Sequence, residues 1–264
     1  MERSKDSGPK PDTLVHSGDL YPVQLTTQLT WGICVGVRIP TLAEIAALAG
    51  IETRNPLAVS WPIPRSGLSD GERTRAGELR GYRRPDYIAG RVALRAALAR
   101  LGVDPPTIGC SERGAPLLPA GYVGSISHKR PLAIGVARPA DGWTLGVDLE
   151  VRKPTASDIS SRILTDAELS QLGALGADDL APSGLPRALE VILRFSIKEA
   201  IYKAIDPFVQ RYVGFREVEV YPRADGQVTV HPYLDPPAPK ALTIRARWTR
   251  LDEFFVSSAG ARLA

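Results

Sequence analysis

Hydrophobic and polar residues along the first hundred positions follow patterns of both strands and helices. The β-branched, apolar stretch 29–39 (LTWGICVGVRI) is typical of a strand. Thr41 and Glu44 have the spacing of a capping box, and the Ala/Leu/Ile run after them predicts a short helix. A charged helix is predicted over 70–81 and another over 85–101, for which Pro85 suits the first turn and Gly102 suits the stop.

The second part of the chain begins with strands and ends with strands around one long helix. Short β-rich pieces separated by Pro and Gly turns occupy 105–150. Thr165 and Glu168 form another capping box, and an apolar stripe predicts a long helix over 187–205. Four more strands are predicted near 213–221, 227–231, 241–248 and 253–258. Strands and helices do not alternate as in βαβ units, so the predicted class is α+β.

The sequence pattern predicts a tail followed by two halves. Residues 1–20 are polar and rich in Pro, Gly and Ser, which predicts a flexible N-terminal tail. Two halves that each mix helices with antiparallel strands are predicted over 21–140 and 141–264. The sequence similarity between the two halves is too weak to establish a repeat from the sequence alone.

Composition excludes several classes of protein. The 264 residues are 44% hydrophobic and 23% charged, which excludes a wholly disordered chain. No uncharged apolar run approaches the roughly 18 residues that a membrane helix needs, and the N-terminus lacks the apolar core of a secretory signal. Two cysteines, Cys34 and Cys110, cannot build a disulfide framework, and with three histidines they make a zinc site an unattractive interpretation. We therefore expect a cytoplasmic protein without membrane contact.

The charge balance points to acidic partners without choosing among them. Lys and Arg together number 33 against 29 Asp and Glu, a net charge of +4. Arginine supplies most of the positive charge, and arginine suits planar recognition of phosphates and carboxylates. Neither zinc-finger spacing nor an aromatic RNA-binding pattern is present, so we expect no nucleic-acid partner.

An acidic pair at 148 and 150 is the first candidate for chemistry. In the strand 143–150 (WTLGVDLE) the odd positions are apolar, so Asp148 and Glu150 project together on the opposite face. Carboxylate oxygens on one face suit Mg²⁺, which keeps waters and takes phosphate oxygens as ligands. For an isolated Asp-x-Glu pair the simpler interpretation is a solvated strand end.

The long helix carries the second candidate. Ser196, Glu199 and Lys203 form a polar stripe beside the apolar one. Glu199 and Lys203 could form only a surface ion pair, worth about 0.2–0.5 kcal/mol. The functional alternative gives Glu199 to a metal or a proton transfer and Lys203 to a phosphate.

The third candidate is the segment 124–130 (GSISHKR), where a hydroxyl, an imidazole and two cations follow a predicted strand. Such an edge can contact an anion, although a single histidine in this position is more often structural or solvated. The segment does not have the sequence of a hydrolase nucleophile elbow.

Together, in this order, these segments resemble the 4'-phosphopantetheinyl transferases of the Sfp/EntD type, and in particular the EntD-like branch. The family signature pairs Gly-Val/Ile-Asp-x-Glu with Phe/Trp-Ser/Cys-x-Lys-Glu-Ala/Ser-x-x-Lys, found here at 146–150 and 195–203. The Gly-Ser-Ile-Ser-His block at 124–128 and Arg83 followed by Gly90-Arg91 are similar to the family too. One departure is Ala115, where some members carry a lysine; Arg113 could take over that charge.

The resemblance implies a fold, a reaction and a set of roles. The fold would be a pseudo-dimer of two similar α+β halves in one chain. The reaction would move phosphopantetheine from coenzyme A to a serine of an apo carrier protein, with Mg²⁺ or alternatively Mn²⁺, releasing 3',5'-ADP. The implied metal ligands are Asp148, Glu150 and Glu199, and the implied catalytic residues are Glu199 as base, Lys203 and Asp148. The implied contacts to coenzyme A are Arg83, Arg91, Arg113, Ser127, His128, Lys198 and Lys203.

Under this interpretation the half 21–140 supplies phosphate contacts and the half 141–264 supplies the metal and catalytic motifs. Carrier proteins of fatty-acid, polyketide or nonribosomal-peptide synthases would be the partners, and the chain would act as a monomer. Two other functions stay open: a Mg²⁺-dependent nucleotide phosphohydrolase, and a non-catalytic module that binds acidic proteins.

Overall fold

Two antiparallel sheets, each covered by one long helix, make up the fold of the computed structural model, which describes residues 20–173, 185–238 and 240–264. The first sheet has the strand order β1-β2-β6-β5. Its strands are β1 (Val23–Leu29), β2 (Gly32–Arg38), β5 (Tyr122–Lys129) and β6 (Leu132–Pro139). A separate two-stranded ribbon consists of β3 (Gly109–Cys110) and β4 (Pro116–Leu117).

The second sheet has five strands in the order β7-β11-β10-β9-β8. They are β7 (Gly146–Val151), β8 (Val218–Pro222), β9 (Gln227–Pro232), β10 (Leu242–Leu251) and β11 (Phe254–Leu263). The helices are α1 (Leu42–Leu48), α2 (Asp70–Glu78), α3 (Arg83–Ala99), α4 (Ser160–Ile163), α5 (Asp166–Ser170) and α6 (Arg187–Val209). The α+β class predicted from the pattern is confirmed.

The predicted capping boxes agree with the structure, whereas several bounds differ: α3 begins at Arg83 and not at 85, and the strand predicted from 213 begins at Val218. Both capping boxes are formed, at the starts of α1 and α5. The long helix α6 runs past its predicted end at 205, through Pro207, and stops where Gln210 adopts a left-handed conformation at φ 50°. Strand β1 was missed because its sequence VQLTTQL is largely polar, and most of its residues are indeed exposed.

Each long helix lies close against its own sheet because a glycine removes the side chain between them. A Cβ at Gly135 in β6 would clash with the backbone of Leu94 in α3, and a Cβ at Gly146 in β7 would clash with the carbonyl oxygen of Ala200 in α6. The faces of the two sheets that are turned away from the helices enclose an apolar cluster that contains Trp31, Ile134 and Leu149. The order of layers is therefore helix, sheet, sheet, helix.

The two sheets are joined along their edge strands β5 and β7. The backbone N–H of Val147 donates to Ser125 Oγ at 3.0 Å, and the hydroxyl of Ser127 donates to Asp148 Oδ1 at 2.9 Å. Both contacts link a residue of the first sheet to one of the second. The predicted division at 140 lies between β6 and β7, and as a domain boundary it stays a prediction.

The predicted tail, 1–20, lies outside the described residues except for its last position. Within the described ranges, none of the helices combines the length and the apolar character needed to cross a bilayer.

Candidate active site

The acidic pair lies on the face of β7 that is turned toward α6, as the strand alternation predicts. Val147 and Leu149 point the other way, into the cluster between the sheets. Asp148 is buried, and its Oδ1 accepts from Ser127 Oγ and from Lys203 Nζ, both at 2.9 Å. Its Oδ2 is also buried and has no hydrogen-bond partner in the described part of the chain. One oxygen of Asp148 is thus held in place while the other is available.

Glu150 is held by a lysine from the first sheet. The amine of Lys129, at the end of β5, lies 2.5 Å from Glu150 Oε2. Burial raises the pKa of the Glu150 carboxyl, the Lys129 bond lowers it, and the nearby charge of Asp148 raises it again. The net result is a raised pKa for Glu150, and the Lys129 ammonium limits that rise.

Glu199 reaches the same region from α6. Burial raises its pKa, the charge of Asp148 raises it further, the amine of Lys203 opposes both, and Glu150 adds a smaller rise. No side chain among the described residues forms a hydrogen bond or ion pair with its carboxylate. The three predicted carboxylates consequently share one electrostatic neighbourhood, with Glu199 free to accept a proton or a cation.

These carboxylates fit a magnesium ion in chemistry, although they are not assembled around one. In the ranges that the structure describes, no group of three metal-binding side chains has the spacing of a metal site. Lysine amines pair with two of the carboxylates, Lys129 with Glu150 and Lys203 with Asp148. The orphaned Oδ2 of Asp148 and the unpaired Glu199 are hard oxygen donors of the kind that Mg²⁺ prefers. The three predicted ligands act on one another electrostatically, and Glu150 would have to exchange its lysine to join a metal site.

A cleft of about 670 Å³ is lined with cations, and Asp148, Glu150 and Glu199 are not among the residues that line it. Its walls come from α2, α3, the β3–β4 ribbon and β5 on one side, and from α6 on the other. The cationic side chains that line it are those of Arg75, Arg83, Arg91, Arg113 and Lys203, and the imidazole of His128 lies among them. Lys203 connects cleft and carboxylates, since it lines the first and binds Asp148. The arrangement can receive a polyanion and present it to the acidic residues.

Arg91 and His128 occupy the wall that α3 and β5 form together. Arg91 is buried beside the ring of Tyr87, 5.0 Å from its centroid, and one guanidinium nitrogen donates to the carbonyl of Gly109 at 3.0 Å. Its Nε is buried with no partner in the described regions. His128 is half exposed, and its Nε2 lies 3.5 Å from a carboxylate oxygen of Asp86. Both residues line the cleft, where an anion could approach them.

Arg83 and Arg113 differ in how free their charges are. Arg83 is exposed at the start of α3, and no described residue forms a hydrogen bond or ion pair with it. Arg113 forms an ion pair with Asp206 of α6 at 2.6 Å and donates to the carbonyl of Arg211. Arg113 lines the cleft next to Ala115 but shares its charge with Asp206, so its contact with coenzyme A stays a prediction.

Two predicted contacts to coenzyme A need correction. The amine of Lys198 is fully buried and donates to Glu168 and to the carbonyls of Ile163 and Phe215. Its predicted contact with a phosphate is wrong, because all three of its donors are used inside the protein. The second is Ser127, whose predicted contact is replaced by another role: its buried hydroxyl donates to Asp148 and positions that carboxylate.

Several residues of the cleft were not found from the sequence. Tyr87 precedes Arg91 by four positions and Asp206 follows Lys203 by three, so helical spacing could have indicated both as neighbours. Lys129 gives no comparable signal, because its partner Glu150 lies on another sheet.

Comparisons with known proteins show which family this sequence resembles. Residues 80–138 match the family described as the 4'-phosphopantetheinyl transferase N-terminal domain, and residues 144–251 match the 4'-phosphopantetheinyl transferase superfamily. The chain is 34% identical to 4'-phosphopantetheinyl transferase Svp of Streptomyces mobaraensis over 136 residues, 51% of this chain and 53% of Svp. It is 33% identical to enterobactin synthase component D of Escherichia coli O157:H7 over 56% of this chain and 66% of that protein.

A third relative is matched over more of its length. The chain is 30% identical to 4'-phosphopantetheinyl transferase PptT of Mycobacterium tuberculosis, over 63% of this chain and 74% of PptT. The match to Svp, in contrast, spans about half of that relative. The resemblance to the Sfp/EntD type that the motifs indicated is confirmed, and this chain belongs to the 4'-phosphopantetheinyl transferase superfamily.

Proposed function

We propose that the protein transfers the 4'-phosphopantetheine arm of coenzyme A to a serine of an apo carrier protein and releases 3',5'-ADP. The observation that carries this proposal is the position of Lys203, which lines the cationic cleft and binds Asp148 at 2.9 Å. A polyanion held in the cleft would thereby lie next to the acidic residues that can activate a hydroxyl.

Coenzyme A carries anionic groups that suit the cations of the cleft. Its pyrophosphate and its 3'-phosphate are separate anionic groups, and the cations are distributed over both walls. We assign Lys203 to the pyrophosphate, and His128 with Arg83 or Arg91 to the 3'-phosphate. Arg83 and the unpartnered Nε of Arg91 favour this assignment, because neither is neutralised by a described residue.

The transfer itself is a displacement at phosphorus. The serine oxygen of the carrier forms a bond to the phosphorus that bears pantetheine, and the bond from that phosphorus to the bridging oxygen breaks. The electron pair leaves with 3',5'-ADP, whose new charge Lys203 can stabilise. The serine proton goes to Glu199, which suits this role because burial and its acidic neighbours raise its pKa.

Asp148, Glu150 and Glu199 are the residues that would hold Mg²⁺, or Mn²⁺ in its place. When bound, the ion would neutralise pyrophosphate charge during the displacement. The carrier proteins would belong to fatty-acid, polyketide or nonribosomal-peptide synthases. A cytoplasmic location and a monomeric state remain predictions.

The decisive experiment measures the intact mass of an apo carrier protein after incubation with coenzyme A, Mg²⁺ and this protein. We expect a gain of one phosphopantetheine, and we expect the Asp148→Asn variant to lose it while Lys240→Met, at an exposed position, retains it. Cleavage of coenzyme A in the absence of any carrier would instead support a phosphohydrolase. Carrier binding without any change in mass would support a non-catalytic binding module.

A further inference from the structure

Lys129 links the two sheets at the acidic residues. It is the last residue of β5, and its amine lies 2.5 Å from Glu150 Oε2. The lysine side chain is 46% exposed, whereas that of Glu150 is only 14% exposed. The contact therefore joins a solvent-accessible cation to a carboxylate that is largely removed from water.

The other carboxylates differ from Glu150 in what holds them. Asp148 keeps its Oδ2 free because Ser127 and Lys203 both bind Oδ1. Lys203 is fixed further by the carbonyl of Val147 at 2.8 Å, so its amine has a second anchor. The amine of Lys129 has no other partner in the described residues. Among the three carboxylates, Glu150 is thus the one whose cation can leave without breaking another contact.

We propose that Lys129 is a positioning residue that occupies Glu150 in the cation-free protein and is displaced when a divalent cation binds. This inference rests on the proposed function, since it assumes that the carboxylates receive Mg²⁺. The physical reason is competition: an ammonium and a metal ion on one buried carboxylate repel each other at short range. A lysine is suited to such exchange, because its charge stands on a flexible four-carbon stem and can move into water.

This exchange would have opposite effects on the two states of the protein. Without metal, Lys129 offsets the repulsion among the acidic side chains of β7 and α6. With metal present, the same ion pair must first be broken, so Lys129 lowers the affinity for the cation.

Amine labelling followed by mass spectrometry tests the exchange directly. We expect added Mg²⁺ to raise the labelling rate of Lys129 and to leave that of Lys240, an exposed lysine, unchanged. In Glu150→Gln, where the carboxylate charge is gone, Lys129 should label rapidly with or without Mg²⁺. A labelling rate of Lys129 that ignores Mg²⁺ in the unaltered protein would overturn the proposal.

Calorimetric titration with Mg²⁺ gives the second measurement. The Kd for Mg²⁺ should fall by about fivefold in Lys129→Met, the factor for the upper range of a partly exposed ion pair. Lys129→Arg and Lys240→Met should both keep the original Kd. If the unaltered protein binds Mg²⁺ but Lys129→Met binds it no more tightly, the exchange is refuted and the proposed function stands. If the unaltered protein binds no Mg²⁺, the proposed cation site falls, and the exchange falls with it.

Discussion

The replacement of Lys198 by methionine tests the role that the structure gives to this residue. The Lys198 amine donates to Glu168 Oε2 at 2.7 Å and to the carbonyls of Ile163 and Phe215 at 2.8 Å each, and both charged side chains are fully buried. Burial lowers the pKa of Lys198, and the Glu168 carboxylate opposes that shift. Methionine has a similar length, so the change removes the charge and donors while preserving most of the volume.

The cost follows from what is left behind. Glu168 would keep its backbone donors, the N–H groups of Thr165 and Val220 at 2.9 Å, but would lose its counter-charge. Removing one partner of a buried ion pair costs about 3–5 kcal/mol. At about 2–4 °C per kcal/mol for a chain of this size, the melting temperature should fall by roughly 6–20 °C. The same change at exposed Lys240 should shift the stability by no more than about 0.5 kcal/mol.

Thermal unfolding monitored by circular dichroism measures the loss, and steady-state kinetics below the transition measure the KM for coenzyme A. We expect a lower melting temperature and an unchanged KM. The double variant Lys198→Met/Glu168→Gln should recover part of the stability, because it removes the uncompensated charge together with its partner. An unaltered melting temperature combined with a raised KM would refute this reasoning and return Lys198 to the phosphate contacts.

Three further outcomes are expected. Glu199→Gln should lower kcat by at least about 10²-fold. In the unaltered protein kcat should rise with pH through a pKa above the ordinary carboxylate range, because burial and Asp148 raise the pKa of Glu199. A rise of kcat confined to the ordinary range would count against Glu199 as base. His128→Ala should raise the KM for coenzyme A, and the penalty should shrink with dephospho-coenzyme A, which lacks the 3'-phosphate; equal penalties would reject the contact. Gly146→Ala should lower the melting temperature and the activity together, because its Cβ would clash with the carbonyl oxygen of Ala200 and push α6 away from Asp148; a stable, active variant would contradict the close packing.

Local signals in the sequence predicted the elements whose ends are decided locally. The capping box of Thr41 and Glu44 is such a case, because every partner lies within four residues. Strand β1 is the opposite case: its polar sequence becomes a strand through pairing with β2, which the pattern within β1 does not encode. Helix α6 continues through Pro207 for a similar reason, since packing against the second sheet outweighs the local preference to stop.

The candidate site shows the same division between local and distant information. Alternation along β7 placed Asp148 and Glu150 correctly, because the period of a strand is fixed by its backbone. Lys198 was misassigned although it is adjacent to Glu199 in the motif. One residue along a helix turns the side chain by about 100°, which directs Lys198 toward Glu168, 30 positions away. The capping role of Glu168 was visible in the sequence, but its second role as a buried partner was not.

The site lies where the edges of the two sheets meet, and this explains why its residues come from different parts of the chain. The carboxylates belong to β7 and α6, whereas Ser127, Lys129 and all four arginines that line the cleft precede residue 140. Ser127 fixes one oxygen of Asp148, and Lys129 neutralises Glu150. Without the first sheet, Asp148 would lose a hydrogen-bond donor and Glu150 its counter-ion, so the acidic residues would repel each other with less compensation. Each half thus has its own helix-covered sheet. The proposed site forms where β5 and β7 lie side by side, because there the cations of the first half lie beside the carboxylates of the second.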